Sequence, residues 1–136
     1  MRKKNNIIFT NGVFDLIHIG HIKLLKSAKN LGNKLIVGIN SDKSVKRIKG
    51  TERPINNQKS RKLILESIRF VDKVVIFNEM NPSKVIRKIK PNIVVKGGDY
   101  TAKFIRNNDS IPKKIKVKII KLKKGYSSTN IIKKIK

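Results

Sequence analysis

The chain has 136 residues, which suits one compact domain, and 38% of them are hydrophobic, which is enough for a core. It contains no cysteine, so disulfides, thiolate zinc sites and cysteine nucleophiles are excluded, and a cytoplasmic location is expected. The formal net charge is +26, and no apolar run is long enough to predict a secretory signal or a membrane span.

The positive charge is the strongest feature of the composition, and it is compatible with a nucleic-acid-binding protein. Lysine, isoleucine and asparagine supply nearly half of the chain, a bias expected when an AT-rich genome fills tolerant surface positions. The lysines are scattered from Lys3 to Lys136, and aromatic residues make up only 5%, which disfavours a platform that stacks single-stranded bases. We therefore favour a solvated surface that attracts anionic substrates and expect no specific nucleic acid. A basic nucleic-acid-binding module is the alternative.

Strand and helix patterns alternate along the chain. Short apolar runs predict five strands, at residues 6–12, 34–40, 73–77, 92–98 and 116–122. Helical spacing predicts four helices, at residues 21–31, 58–70, 82–89 and 127–135. Residues 43–57 are predicted to be a mobile loop with a basic edge, and residues 100–111 to be irregular. This alternation predicts an α/β, Rossmann-like fold: a doubly wound, mostly parallel five-stranded sheet with helices on both faces, in one domain spanning residues 1–136.

Polar residues follow the carboxyl ends of the predicted strands, which is where ligands of such sheets bind. Residues 10–15 follow the first strand, and Ser41 and Asp42 follow the second. The segments "KGGDY" and "KKGYSST" follow the fourth and fifth strands. We therefore expect one site built from four loops.

Both histidines of the chain lie in "FDLIHIGH", between the first strand and the first helix. The unpaired N–H groups and the dipole at the start of a helix favour an anion at this point. Gly20 lies between His18 and His21 and has no side chain, so a phosphate can approach its backbone closely. The two imidazoles are predicted to donate hydrogen bonds to the oxygens of one phosphate.

The stretch "NGVFDLIHIGH" resembles the signature of the cytidylyltransferase-like nucleotidyltransferase family, in which Gly-x-Phe-Asp is followed two residues later by His-x-Gly-His. Class I aminoacyl-tRNA synthetases share the last four letters, but they are much longer chains with anticodon and editing domains. The similarity to the first family continues through "INSDKSVKRIKG", "RKLILESIRFVDKVV", "VVKGGDY" and "GYSSTNIIKKI". Within this family, the chain most resembles the adenylyltransferase domain of the bifunctional enzyme that makes ADP-heptose.

This resemblance implies a reaction in which a sugar-phosphate oxygen attacks the α-phosphate of a nucleoside triphosphate in line. Pyrophosphate then leaves with Mg²⁺, a cofactor that is expected to be bound mainly through the triphosphate, and no protein ligand is predicted for it. By matching positions, His18 and His21 would stabilise the α-phosphate, and Lys49 would reach a phosphate from the loop as a third catalytic residue. Lys46 and Arg61 match positions near the acceptor phosphate, and a surface salt bridge is the alternative role for Arg61.

The other matched positions are implied to bind the nucleotide. Val13 and Phe14 would line its pocket, and Asp15 is expected to brace their turn rather than to act as a base. In "KGGDY" the glycines permit close approach, and Asp99 would accept a hydrogen bond from the base or ribose. The full nucleotide set implied by the resemblance is Val13, Phe14, His18, Gly20, His21, Gly98, Asp99, Tyr126, Ser127, Ser128 and Thr129.

The resemblance favours ATP and D-glycero-β-D-manno-heptose 1-phosphate as substrates, which would give ADP-heptose for lipopolysaccharide core synthesis. The cytidylyltransferases for glycerol phosphate carry Arg-Thr-Glu-Gly-Ile-Ser-Thr before the last helix. Here the segment reads "LKKGYSS", with Leu122 at the arginine position. Glycerol-3-phosphate cytidylyltransferase, or another nucleotidyltransferase with the His-x-Gly-His motif, is the alternative within the family. A noncatalytic nucleotide-binding protein is a further alternative, which the intact His18 and His21 disfavour.

Two expectations concern partners. The bifunctional relatives carry a kinase domain ahead of this one, and Met1 lies only a few residues before the first predicted strand. A separate sugar kinase is therefore expected to supply the sugar 1-phosphate. Many relatives are dimers, so a homodimer is also compatible with the resemblance.

Overall fold

Strands and helices alternate along the computed structural model, which describes residues 6–121. The strands are β1 (Ile7–Gly12), β2 (Lys34–Asn40), β3 (Lys73–Phe77), β4 (Ile93–Gly97) and β5 (Lys116–Ile120). The helices are α1 (Ile19–Lys29), α2 (Asp42–Lys49), α3 (Gln58–Glu66), α4 (Ser83–Ile89) and α5 (Ala102–Asn108). The five predicted strands are confirmed, and the predicted helix at residues 127–135 lies outside the described residues.

The strands form one sheet in the order β3-β2-β1-β4-β5, and all four neighbouring pairs are parallel. The chain moves outward from β1 to β3 and then returns to the other side of β1 as β4. The strand order therefore reverses between β1 and β4, and such a reversal leaves a crevice beyond the carboxyl ends of the two strands. The predicted doubly wound parallel sheet is confirmed.

Apolar side chains pack against both faces of the sheet. Leu24 and Leu25 of α1 and Leu65 of α3 join the core on one face. Ile86 of α4 and Ile105 of α5 join the core on the other. Burying each of these side chains stabilises the fold by roughly 1.5–3 kcal/mol. The helices thus cover both faces, as predicted, and leave the ends of the strands to carry the loops.

The predicted mobile loop at residues 43–57 is wrong in its first half, because residues 42–49 form α2. The Ser41 side chain caps this helix by accepting a hydrogen bond from the Ser44 amide at 3.2 Å. Val45, a residue of this helix, is buried. Gly50 ends it with a φ of +102°, a conformation that favours glycine. The Ser41 cap and Gly50 thus define the two ends of α2. Most of its side chains are charged, so the sequence shows no clear helical spacing of apolar residues.

The other differences from the prediction also lie at helices. Residues 102–108 form α5 instead of an irregular segment, since Thr101 caps the helix by accepting from the Phe104 amide at 3.1 Å. Helix α1 begins at Ile19 rather than at His21, and α3 ends at Glu66 rather than at Phe70. None of the helices within residues 6–121 has the length and apolar character needed to cross a bilayer.

Candidate active site at the carboxyl ends of β1 and β4

A cavity of about 250 Å³ opens at the carboxyl ends of β1 and β4, where the strand order reverses. The turn after β1 contributes Val13 and Phe14 to its wall, and α1 contributes His21. These three residues belong to the predicted nucleotide set, so the structure brings part of that set together. Of the described residues in that set, His18, Gly20, Gly98 and Asp99 lie outside the wall of this cavity.

The turn after β1 positions the His21 ring through a strained phenylalanine. Phe14 has a φ of +51°, which is rare for a bulky residue, and its ring is buried. A Cβ at Gly12 would lie 3.0 Å from the Phe14 ring, so only glycine fits there without a shift. The Phe14 ring packs against His21 with 5.0 Å between the ring centroids. Strain of this kind persists where the surroundings enforce it, and here it fixes one side of the imidazole.

Asp15 holds the loop after α2 against this turn. Its buried carboxylate accepts hydrogen bonds from the amides of Ile55 and Asn56, both at 2.8 Å, and from Arg53 Nε at 3.0 Å. The Asn56 side chain in turn donates to the Asp15 carbonyl at 2.7 Å. The expected bracing role of Asp15 agrees with these contacts. They also tie down the second half of the segment that was predicted to be mobile.

Arg61 is fully buried, and its guanidinium connects four segments around the turn. It donates to the carbonyls of Val13 at 2.9 Å, Asn40 at 2.7 Å and Asn56 at 3.0 Å. It also pairs with the Asp42 carboxylate at 2.8 Å. All three of its nitrogens are therefore engaged within the protein. These contacts give Arg61 a structural role, and its predicted contact with the acceptor phosphate stays a prediction.

His18 and His21 together form the amino-terminal cap of α1. The Gly20 amide donates to His18 Nδ1 at 3.1 Å, and the His18 amide donates to His21 Nδ1 at 3.2 Å. This is a reciprocal capping box in which imidazole nitrogens replace the usual side-chain oxygens. Because each Nδ1 accepts a hydrogen bond, each neutral ring carries its hydrogen on Nε2. The Gly20 amide is used in this cap, so a direct contact between Gly20 and a nucleotide stays a prediction.

Both imidazoles are held in their neutral form near pH 7. Burial and the neighbouring His18 lower the pKa of His21 to about 4. Burial also lowers the pKa of His18. The two rings stack with their centroids 3.9 Å apart. The pair is therefore suited to donating neutral N–H groups to a phosphate rather than to relaying protons.

Lys49 lies at the end of α2, close to the loop that Asp15 holds. Burial and the positive charge of Arg53 lower the pKa of the Lys49 ammonium, while Asp15 raises it.

Arg53 Nη2 is buried, and no residue within 6–121 accepts a hydrogen bond from it. Sequence reasoning did not single out Arg53 as a residue of this region. The available signal for it was its position four residues after Lys49 and directly before Pro54.

Lys46 lies apart from the histidine cavity. It lines a separate cavity of about 220 Å³, together with Asp42, Pro54, Ile55 and Asn57. The structure therefore separates Lys46 from the histidines, and its contact with an acceptor phosphate stays a prediction.

The loop after β4 closes the other side of the histidine cavity. Gly98 has a φ of +122°, which favours glycine, and its amide donates to the Ile120 carbonyl at 3.1 Å. Its neighbours Gly97 and Tyr100 line the cavity, while Asp99 is exposed beside it. The contacts predicted for Gly98 and Asp99 stay predictions. Those predicted for Tyr126, Ser127, Ser128 and Thr129 concern residues outside the described part of the chain.

Two polar residues in the cavity wall lie in segments that were predicted to build the site, but neither was singled out individually. Asn11 lies near the end of β1 and Lys96 near the end of β4, and both line the cavity. Lys96 Nζ donates to Asn11 Oδ1 at 3.0 Å. The only available signal was their position near the carboxyl ends of the two strands that flank the reversal.

Comparison with known proteins identifies the family. A model of the cytidylyltransferase-like family matches residues 9–134. The chain belongs to the cytidylyltransferase-like family. The bifunctional protein HldE of Campylobacter concisus is 49% identical over 133 residues, which cover 98% of this chain and 28% of that protein. The bifunctional protein HldE of Nitratiruptor sp. is 48% identical over 135 residues, which cover 99% of this chain and 29% of that protein.

The chain therefore spans less than a third of the length of these curated relatives. Among solved structures, a lipopolysaccharide core biosynthesis protein from Thermoplasma volcanium GSS1 is 30% identical and superposes with a TM-score of 0.71. That match covers 89% of this chain and 98% of the other. The predicted fold class and the predicted family are confirmed. Family membership also confirms the prediction that the chain is a nucleotidyltransferase. The separate kinase and the homodimer stay predictions.

Proposed function

We propose that this chain is an adenylyltransferase that transfers AMP from ATP to D-glycero-β-D-manno-heptose 1-phosphate, giving ADP-heptose and pyrophosphate. Membership of the cytidylyltransferase-like family supports nucleotidyl transfer. Identity of 49% to a bifunctional HldE protein over 98% of this chain supports this subfamily. The lipopolysaccharide core biosynthesis protein that shares the fold supports a role in lipopolysaccharide core synthesis. The observation that carries the proposal is the pair of capping histidines at the reversal of the strand order.

The proposed reaction is an in-line displacement at the α-phosphorus. A phosphate oxygen of the sugar 1-phosphate forms a new P–O bond, while the bond between the α-phosphorus and the leaving pyrophosphate oxygen breaks. The attacking phosphate is already deprotonated near neutral pH, so no side chain has to remove a proton from it. This requirement suits a site that provides donors and fixed positions instead of a general base.

His21 and His18 would stabilise the charge that builds on the α-phosphate oxygens. His21 lies in the cavity wall, and His18 stacks on it at the start of α1. Their tautomer directs the donor nitrogen, Nε2, away from the capping bonds made by Nδ1. Donors that are already oriented cost little reorganisation in the transition state, and removing one such donor typically costs about 3–4 kcal/mol. Lys49 would add a positive charge on the side of the loop that Asp15 holds.

The described donors fit a phosphate better than a cation. Within residues 6–121, no group of three histidine, aspartate or glutamate side chains could hold a metal ion. The Asp15 carboxylate already accepts three hydrogen bonds. We propose that Mg²⁺ binds mainly through the triphosphate oxygens, where it would neutralise charge on the leaving pyrophosphate.

The experiment that tests this proposal measures pyrophosphate release for a matrix of substrates. ATP, CTP, GTP and UTP are each combined with heptose 1-phosphate, glycerol 3-phosphate, phosphocholine and FMN. We expect the highest kcat/KM for ATP with heptose 1-phosphate. A His18→Ala, His21→Ala double variant purified in the same way should show no turnover. A preference for CTP with glycerol 3-phosphate would move the chain to the cytidylyltransferase subfamily. Absence of turnover with every pair would refute the proposed reaction.

A further inference from the structure

Lys96 differs from the many exposed lysines of this chain because it is partly buried in the wall of the histidine cavity. Its Nζ atom donates to Oδ1 of Asn11 at 3.0 Å. Asn11 is on β1 and Lys96 is on β4, so this hydrogen bond bridges the two strands between which the sheet order reverses. Neither residue belongs to the set predicted from the sequence, and the proposed reaction does not use them.

One structural role for Lys96 would be to neutralise Asp109, the buried carboxylate at the end of α5. The two side chains do influence each other, because Asp109 raises the pKa of Lys96 while burial lowers it more strongly. Yet no ion pair joins them among residues 6–121, and Asp109 Oδ2 is buried with no hydrogen-bond partner in that range. The ammonium instead contacts a neutral amide, so Asp109 does not explain its position.

The chemistry of the Lys96–Asn11 pair indicates what it could bind. A lysine ammonium has three donors, and Asn11 accepts one of them. Because Asn11 Oδ1 is occupied by that bond, the remaining polar atom of its side chain is the donor Nδ2. The pair thus offers the cavity hydrogen-bond donors and a positive charge, facing a cavity that His21 also lines. Anionic phosphate oxygens are the ligands that match such a set.

We propose that Lys96, held in position by Asn11, binds an anionic phosphate oxygen of a substrate in the histidine cavity, as a second phosphate contact beside His18 and His21. The oxygen belongs either to the nucleotide or to the acceptor phosphate, and the chemistry of recognition is the same for both. This inference rests on the proposed nucleotidyl transfer for the identity of the substrates. The ligand also offsets the cost of holding a cation partly out of water without an ion pair.

The test is calorimetric titration of the wild-type chain and its variants with two probes. The first probe is an ATP analogue with a methylene bridge between its α- and β-phosphates, given with Mg²⁺, and the second is heptose 1-phosphate. Lys96→Met is expected to weaken one of them by about 10- to 100-fold, the loss typical for a hydrogen bond to a charged group. The probe that loses affinity identifies the source of the oxygen. Lys96→Arg keeps the charge and is expected to retain most of that affinity.

Lys34→Met is the matched control. Lys34 is exposed at the amino end of β2, and the cavity lies at the opposite, carboxyl end of the strands. It should bind both probes like the wild type. Asn11→Ala leaves the ammonium but removes its holder, so a smaller loss is expected for the same probe as with Lys96→Met. If Lys96→Met does not fold, the Lys96→Met, Asp109→Asn variant removes both buried charges and is titrated in its place.

The inference is overturned if a folded Lys96→Met variant, or that double variant, binds both probes as tightly as the wild type. A failure of this inference can be distinguished from a failure of the proposed function. If the substrate matrix selects another donor and acceptor, their noncleavable analogues replace the two probes, and Lys96→Met must still weaken one of them. If the wild type turns over its substrates and Lys96→Met binds both probes normally, only the role of Lys96 falls.

Discussion

Replacing Arg61 with methionine separates its observed role as a buried connector from the predicted contact with an acceptor phosphate. The guanidinium donates to the carbonyls of Val13, Asn40 and Asn56, and methionine offers no donor. A hydrogen bond from a charged group typically contributes about 1.5 kcal/mol or more, so the free energy of unfolding is expected to fall by about 4.5 kcal/mol or more. Losing the ion pair with Asp42 adds little, because that side chain is 33% exposed. A loss of this size is a large share of the 5–15 kcal/mol, roughly, that stabilises a typical domain.

Urea denaturation measures this loss, and the KM for the acceptor at saturating ATP measures the competing role. Arg61→Lys keeps the charge but cannot reach three carbonyls at once, so it should also be destabilised. Arg87→Met removes an exposed arginine from α4 and should change stability by less than about 0.5 kcal/mol. The structural reasoning is refuted if Arg61→Met unfolds like the wild type while its acceptor KM rises by about tenfold or more.

Three further predictions follow from the same site. His18→Ala and His21→Ala should each lower pyrophosphate release by about 10²- to 10³-fold and cost about 1 kcal/mol of stability through loss of the cap; near-normal turnover of the double variant contradicts the mechanism. The pKa of His21 is lowered to about 4 in the folded chain, so the unfolded chain binds more protons below pH 6.5. Wild-type stability should therefore fall between pH 6.5 and about 4, by up to about 3 kcal/mol, and denaturation of His21→Asn across this range should show a smaller fall. Asp15→Asn should speed amide exchange at Ile55 and Asn56, and unchanged exchange would show that other contacts hold the loop.

The sequence predicted the strands better than the short helices, and the reason is the number of buried side chains that each element shows. A strand such as β2 is buried along almost its whole length and is therefore visible as an apolar run. In α2 the buried side chains are Ser44 and Val45, and in α5 the buried side chain is Ile105. These positions alone do not establish a helical period, whereas in α4 the apolar Val85, Ile86 and Ile89 do. The capping residues before these helices were the available signal, and in residues 43–57 the charge around Gly50 and Pro54 outweighed it.

Within the candidate site, the local motif was predictable and the distant contacts were not. The histidines are three residues apart, so their position at the start of α1 follows from the order of the elements. Asp15 instead meets Asn56, 41 residues away, and Lys96 meets Asn11, 85 residues away. A single sequence contains no signal for such pairs. The interpretation of Arg61 as a phosphate contact followed the family resemblance, and its complete burial could not be foreseen because arginine is rarely fully buried.

The capping geometry explains why histidine suits both positions. A serine or threonine with a glutamate would cap α1 as well, but the glutamate would place a negative charge where a phosphate has to bind. Imidazole offers an acceptor and a donor on opposite sides of one rigid ring, so His18 and His21 can accept a backbone amide at Nδ1 while keeping a hydrogen on Nε2. The lowered pKa of both rings keeps Nδ1 unprotonated, and each capping bond needs that state. The interaction that starts the helix therefore also sets the position of the hydrogen that the proposed transfer chemistry uses.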